Sequence, residues 1–507
     1  MAKIDSNSQG RWVRRFWNPD ANRLTAWTHL ALIAVSLLLL AYFWLSPKIP
    51  YNDGFGWDGV QYARWVASLP DDLASGNINA YYIKRILPSF LVSIPAHLFG
   101  LPITRDYIVY GFCVGNAVCG YLVGIFWLRA CVALRVSGSR TLLGLVLLVA
   151  TFPVTKQSSY NGVLTDLFAL AGAAGMLDCW VRDRRLGLAA AVLASMFCWP
   201  STAIIGSLLL LFPRGSRLSL GRFSWLAIWG IRGAWIAFAG VCFVGSLALI
   251  TLNKKGGIYL PMWRAFLPIS ISIAVAYVFF VTRFILGSLC GGTSAPQLIG
   301  FSGRRLVSWV FLIPCVIIVQ RLVAARTFDG SLSVVSIILG SINRPGLFLV
   351  SDFSYYGSLA VLCAIFFPAT VQAAAGLGLG VLGAVAFGFA LNLYPESRMT
   401  LNVVPFVVLP LVLALPHNHF TVAQWAFVGV CQFITSKVWL PIVATAADFE
   451  GLHQTYPAQY LFASHGPWMA NDAYVVQGTL ALVAVAVAWL MFRRHPFSAS
   501  SSICHFA

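Results

Sequence analysis

Glutamate is almost missing from this 507-residue chain: only Glu396 and Glu450 carry it, and aspartate brings the acidic side chains to just 16. Charged residues of both signs make up 10%, against 59% hydrophobic residues. A soluble chain of this length would fold as about three domains, each needing a charged surface that this composition does not supply. Long polar stretches are lacking too, which excludes cytosolic Rossmann or TIM-barrel enzymes, secreted disulfide frameworks and single-anchor receptors. No Walker loop, HExxH, GxSxG or paired cysteine cluster is present. The glycines Gly376, Gly378, Gly380 and Gly383 follow no strand, so they read as a tight turn or a close helix contact and not as a phosphate loop. Eleven cysteines, none in a CxxC pair, read as small packing residues of apolar segments.

Apolar helix is what remains. At roughly 20 apolar residues per crossing, the hydrophobic content sets a ceiling of about 15 crossings, and the chain reads as an all-α polytopic membrane protein. Its net charge of +18, from 34 basic and 16 acidic residues, is spread in short clusters between apolar runs. That pattern fits positive-inside loops and excludes a nucleic-acid partner.

Charge also orients the chain. Lys3, Arg11, Arg14, Arg15 and Arg23 outweigh Asp5 and Asp20 before the first apolar run, so residues 1–24 form a basic cytoplasmic N-terminus and Thr25 to Leu45 an uncleaved anchor crossing outward. Residues 46–106 balance five basic against five acidic side chains and read as a long first external loop. Within it, Ile86 to Phe99, interrupted by Pro88 and Pro95, reads as a helix lying in the outer interface. Arg129, Arg135 and Arg140, then Arg182, Arg184 and Arg185, then Arg214, Arg217 and Arg222 mark cytoplasmic turns. Two short apolar runs, Leu186 to Trp199 and Ser201 to Phe212, read as an out-and-back pair with Pro200 at the outer tip. Gly233 to Thr251 exits and Ala265 to Val281 returns. The stretch Ser331 to Ile342 either lies along the outer surface or adds a crossing. Lys437 falls inside the expected span Val422 to Val443. Residues 444–474 form the last external loop, with Asp448, Glu450 and Asp472 and no Lys or Arg; its His453 and His465 could join those carboxylates as a metal cluster, but their scattered spacing favours a solvated loop. His417 and His419 fall in a cytoplasmic turn. Arg493 and Arg494 begin a cytoplasmic tail, residues 493–507, after a transmembrane domain spanning 25–492. The expected total is about 11 to 14 transmembrane helices, with both termini cytoplasmic.

With so few carboxylates, the densest external cluster is informative. It reads Tyr51-Asn52-Asp53-Gly54-Phe55-Gly56-Trp57-Asp58-Gly59-Val60-Gln61-Tyr62. Its glycines permit sharp bends, and Tyr51, Phe55, Trp57 and Tyr62 suit either the interface or the face of a sugar ring. The ordinary alternative is an interfacial turn in which Asp58 caps the helix that follows. Topology places Asp166, at the outer start of an apolar run, and Glu396 with Arg398, at an outer turn, on the same side as Asp58. Each has its own ordinary alternative, a helix cap for Asp166 and an interfacial ion pair for the other two. Lys84 and Arg85 stand at the depth of lipid phosphates, where an arginine fork suits a phosphate and a lysine can equally snorkel to ordinary headgroups.

The segment Trp57-Asp58-Gly59-x-x-Tyr62, followed by Tyr82-x-x-Arg85-Ile86-Leu87-Pro88, resembles bacterial multi-pass proteins of the GT-C glycosyltransferase superfamily and the WDxxxY-type segment of the mannosyltransferases of glycolipid anchor synthesis. Asn161 to Asp166 is similar to the T-D helix start of these proteins, and Pro395-Glu396-Ser397-Arg398 to their E-x-R segment before a late helix. The resemblance covers much of the chain as topology but only about three short motifs as residues. It implies a GT-C-like fold, catalysis by an external-loop aspartate, Asp58 first and Asp53 second, and a sugar donor carried on polyprenyl phosphate. Tyr62, Lys84, Arg85, Asp166, Glu396 and Arg398 are then the substrate-binding candidates.

The resulting expectation is a membrane glycosyltransferase of a bacterial inner membrane, moving a sugar from a polyprenyl-phosphate carrier to a cell-envelope glycan or lipid acceptor at the outer face. One carboxylate takes the acceptor proton while arginines stabilise the departing phosphate. The sequence demands no cofactor and no metal, and a divalent ion between carboxylates and phosphate is compatible with it. A lipid-linked-sugar flippase or other transporter is the rival, expected to carry charge near mid-membrane on broken helices. A polysaccharide polymerase or non-catalytic subunit has the same composition.

Overall fold

Unbroken apolar sequence, about 1.5 Å of rise per residue and no water for the backbone leave the helix as the stable element here. In the computed structural model, the described residues are 26–76, 78–219, 264–289, 297–324, 334–415, 420–442, 456–463 and 465–492. The chain is an all-α polytopic membrane protein.

The order begins with α1 (Ala26–Leu45), α2 (Gly59–Ala74), α3 (Leu87–Phe99) and the long α4 (Arg105–Ala133). It continues with α5 (Gly138–Val149), α6 (Asp166–Val181), α7 (Arg185–Ser195), α8 (Thr202–Leu211), α9 (Leu267–Leu289) and α10 (Gly303–Val323). Then come α11 (Val334–Ser341), α12 (Leu347–Tyr356), α13 (Ser358–Leu377), α14 (Leu379–Leu391), α15 (Val404–Ala414), α16 (Val422–Ser436), α17 (Pro457–Ala463) and α18 (Asn471–Phe492). A two-stranded antiparallel ribbon, β1 (Arg217–Ser219) with β2 (Gln297–Ile299), pairs Leu218 with Leu298.

Local chemistry sets these limits. Thr104 caps α4 by accepting from the Tyr107 N–H at 3.2 Å. Thr421 and Gln424 form a reciprocal capping box at α16. Gly100, left-handed at φ 63°, ends α3. The core is built on α4 packed against α6, with α13 against α15 and α8 against α14 beside it, while α1 faces outward over most of its surface. Gly378, at φ 140°, lies where a Cβ would stand 3.0 Å from the Gly215 nitrogen, and at Gly380 one would stand 2.8 Å from the Phe212 carbonyl. The glycine run is therefore a close helix contact, joining α14 to the end of α8.

Six described helices are long and apolar enough to cross: α1, α4, α9, α10, α13 and α18. A seventh span forms if α5 is continued through Pro153–Tyr160 across a 50° bend. Against the expected 11 to 14 crossings, the described residues hold these six or seven spans, and the shorter apolar helices, among them α7, α8, α14, α15 and α16, are below full span length. A helix forms over the expected stretch Ile86 to Phe99, as α3. The open question over Ser331 to Ile342 resolves as α11, whose eight residues rise about 12 Å and do not cross. Lys437 is not mid-span: α16 stops at Ser436, and Lys437 follows at φ 57°, its Nζ donating to Ser354 Oγ at 3.1 Å and lying 4.0 Å from the Phe152 ring centre. The expectations for residues 1–24, Gly233 to Thr251, His417, His419, Asp448, Glu450, His453 and residues 493–507 lie outside the described residues. Among the described cysteines, eight are free.

Candidate functional site

The glycine-rich loop after α1 is tied down before it reaches Asp58. Lys48 Nζ donates to the Ser159 carbonyl at 3.0 Å, and the Ile49 N–H to Tyr160 at 2.8 Å. Asn52 and Asp53 then take left-handed conformations at φ 51° and 55°, which asparagine and aspartate tolerate better than other non-glycine residues. The Asn52 amide closes the turn onto the Gly56 carbonyl at 2.9 Å. Two glycines let the loop press against the segment before α6. A Cβ at Gly56 would lie 2.6 Å from Asn161 Oδ1, and one at Gly59 would lie 2.9 Å from the Val163 carbonyl oxygen.

That docking delivers Asp58 to a cation pair. Its Oδ2 accepts from Arg398 Nη2 at 2.9 Å across 340 residues of sequence and stands 3.6 Å from Arg85 Nη1. Arg398 also donates through Nε to Glu396. Asp58 precedes α2, yet its side chain makes no capping bond, so the ordinary explanation for it fails. Burial pushes its carboxyl up, but the charges of Arg398 and Arg85, with hydrogen bonds from Arg398 and Tyr82, outweigh this and hold it below the usual carboxylate value. It is an ionised carboxylate at neutral pH.

Arg85 is the most enclosed member, with 1% of its side chain exposed. Its guanidinium lies between the rings of Tyr81 and Trp199, 4.6 and 4.5 Å from their centres, and donates through Nη1 to the Tyr62 hydroxyl at 3.2 Å. Its Nε and Nη2 have no hydrogen-bond partner. Buried N–H groups of a cation seldom stay unpaired, and two of them side by side form a fork that fits an oxyanion.

The turn carrying Arg398 is held from below. Tyr356 donates to the Ser397 carbonyl at 2.7 Å, Ser397 Oγ donates to Ser351 Oγ at 3.0 Å, and Ser351 donates to the Pro395 carbonyl. From the side, Trp199 Nε1 reaches the Met399 carbonyl at 3.4 Å and Ser201 Oγ donates to Asn402 Oδ1 at 3.1 Å. The expected tip at Pro200 therefore lies beside the Arg398 turn.

Asp166 opens α6, is 3% exposed and leaves Oδ1 without a partner. It lies within electrostatic reach of Arg398, Arg85, Asp58 and Glu396. The structure thus brings together Asp58, Arg85, Asp166, Glu396 and Arg398. It does not bring in Asp53, which is exposed in its left-handed turn and contributes only its carbonyl, to Arg105. Lys84 is half-buried and forms no ion pair among the described residues. Tyr62 is fully buried beneath Arg85, so it supports the arginine and presents nothing to a substrate. Sequence reasoning missed Trp199 and Tyr81 as walls of the Arg85 slot; their one signal was aromatic character beside an expected outer tip and next to Tyr82-x-x-Arg85. His465 is not solvated: its ring packs at 5.3 Å from Phe152 and 5.8 Å from Tyr355, and burial lowers its pKa to about 4. Among the described residues, no three His, Cys, Asp or Glu side chains gather as metal ligands would.

Beneath the Arg398 turn opens a cavity of about 670 Å³ whose wall is almost wholly apolar and includes Tyr356 and Thr400, both bonded to that turn. Asp352, 6% exposed, is its one acidic wall residue, with Oδ1 unpaired. Comparison with family models, with curated proteins and with solved structures finds no match to this chain.

Proposed function

We propose that this protein is a membrane glycosyltransferase of GT-C type, transferring a sugar from a polyprenyl-phosphate carrier to a hydroxyl of a cell-envelope glycan or lipid at the outer face of a bacterial inner membrane, with both termini cytoplasmic. The observation that carries this reading is the fork of unpaired Arg85 donors beside an ionised Asp58 that Arg398 also holds.

The chemistry needs little more. The donor phosphate binds the spare donors of Arg85 and draws on the charge of Arg398, and its tail occupies the apolar cavity below the turn. As the phosphate takes a share of the two guanidiniums, Asp58 loses part of what depresses its basicity and becomes the base for the acceptor hydroxyl. The acceptor oxygen bonds to the anomeric carbon, the proton passes to Asp58, and the carbon–oxygen bond to phosphate breaks with its electron pair on the leaving phosphate. One displacement inverts the anomeric centre.

The transporter reading has one observation in its favour, the buried Asp352 carboxyl in the wall of an apolar cavity, with its Oδ1 unpaired. The two are separated by reconstituting the full chain in liposomes with carrier-linked sugars. Transfer of labelled sugar to an acceptor, with release of free polyprenyl phosphate, is expected. Movement of the intact carrier across the bilayer without release would replace the enzyme by a transporter.

A further inference from the structure

The far end of the molecule holds a second concentration of positive charge that the proposed reaction does not use. Helix α6 starts at Asp166 in the site above, and its 16 residues rise about 24 Å before reaching Asp183. There a cavity of about 690 Å³ opens, walled by Arg135, Arg185, Arg214, Arg305, Asp183 and Ser302 among others. Four arginines face one carboxylate. That carboxylate is already engaged: Asp183 Oδ1 accepts from Arg305 Nη2 at 2.9 Å and lies 3.8 Å from Arg185 Nε. Arg135 and Arg214 form no ion pair among the described residues, and both are exposed.

Helix starts and helix ends both meet this cavity. Two helices begin at this cavity, α7 at Arg185 and α10 at Gly303, and neither Arg184 nor Ser302 caps its helix with a side-chain bond. The Arg305 N–H is taken by the Ser302 carbonyl, and α4 ends at Ala133 and α8 just before Pro213 in the same wall, so the helix dipoles offset and the arginine side chains carry the field. Arg305, 8% exposed, sits in the floor and is fixed by Asp183 and the Leu210 carbonyl, so the pocket is built and not formed by loose surface side chains alone.

Positive-inside charge accounts for arginines near this end, but scattered charge does not require a concave site with four arginines, one of them buried in its floor, around a single carboxylate that is already engaged. We infer that this cavity binds a phosphate group, carried either by an anionic lipid headgroup of the adjoining leaflet or by a soluble phosphate compound. The site is independent of the sugar-transfer reading.

The test uses the full chain in phosphatidylcholine nanodiscs. In one arm phosphatidylglycerol is introduced and bound lipid is counted by native mass spectrometry. In the other, pyrophosphate is titrated and heat is measured. Saturable binding in one arm is expected, identifying the source, with affinity reduced roughly tenfold or more in Arg135→Gln/Arg214→Gln. Arg214→Gln alone should show part of that loss if the double variant proves unstable. Absence of saturable binding in both arms, or equal affinity in the variants, overturns the inference.

Discussion

Replacing Asp58 by asparagine separates chemistry from architecture, because the side chain keeps its size and loses only its charge and its ability to take a proton. In the structure the carboxylate accepts a short charge-assisted bond from Arg398 at 2.9 Å, while the 3.6 Å approach of Arg85 is an ion pair and not a hydrogen bond. The amide oxygen of asparagine still serves Arg398, so the structural loss is mainly the charge that Arg85 faces. With Arg85 buried and Asp58 22% exposed, that loss is on the order of 2 kcal/mol of stability, below the cost of orphaning a fully buried pair. Asp58 caps nothing, so no helix start is lost. Turnover should fall far more, by roughly 100-fold or beyond, equivalent to about 2.7 kcal/mol in the barrier. The assay is sugar transfer in liposomes at saturating donor, read alongside a thermal melt and donor affinity. A folded Asp58→Asn protein that turns over near the wild-type rate would refute the role of this carboxylate as base.

Arg398→Gln removes the largest charge opposing the effect of burial on Asp58, so the acid limb of the pH–rate profile should move to higher pH; an unmoved limb means that Asp58 does not report in turnover. Trp199→Ala opens one wall of the Arg85 slot and should raise the donor KM by about tenfold, with Trp199→Phe milder, in steady-state kinetics; equal kinetics in both would leave the ring as packing only. Gly59→Ala places a methyl 2.9 Å from the Val163 carbonyl oxygen and should cost about 1–3 kcal/mol, seen as a lower Tm and lost activity although no functional group changes. Reporters fused after Arg140 and Arg185 should read cytoplasmic and those within Ser68–Ser75 external; one shared side for all of them would break the topology.

Much of this was legible because membrane sequences state their elements plainly. The run Ala265 to Val281 grew into Leu267–Leu289, and the pair flanking Pro200 is α7 and α8, whose tip touches the Arg398 turn at Met399. Asp58, Asp166 and Arg398 could be placed on one side by counting crossings. What counting could not supply is azimuth. Tyr62 falls in the same motif as Asp58 but lies buried beneath Arg85, and Asp53, five residues away, turns outward because two left-handed residues reverse the chain. Lys437 was misplaced for a related reason: hydropathy continues past Ser436, whereas the helix ends in a left-handed residue that hydropathy does not register. Trp199 acts through an arginine more than a hundred positions upstream, a pairing that only tertiary packing creates.

The glycine contact between α8 and α14 has a mechanical side. These helices leave it side by side and antiparallel in chain sense, α8 back to Trp199 and α14 on to the turn that holds Arg398. With backbone against backbone at Gly378 and Gly380, their separation is set by main-chain atoms and not by side chains that swap rotamers. The pair behaves as a pair of tongs clamped at the hinge, and its touching tips, the Trp199 ring that lies against Arg85 and the turn that holds Arg398, inherit the stiffness of the clamp. A bulkier residue at Gly380 would therefore be felt some 20 Å away as a shift of the Trp199 ring against Arg85 and of Arg398 against Asp58.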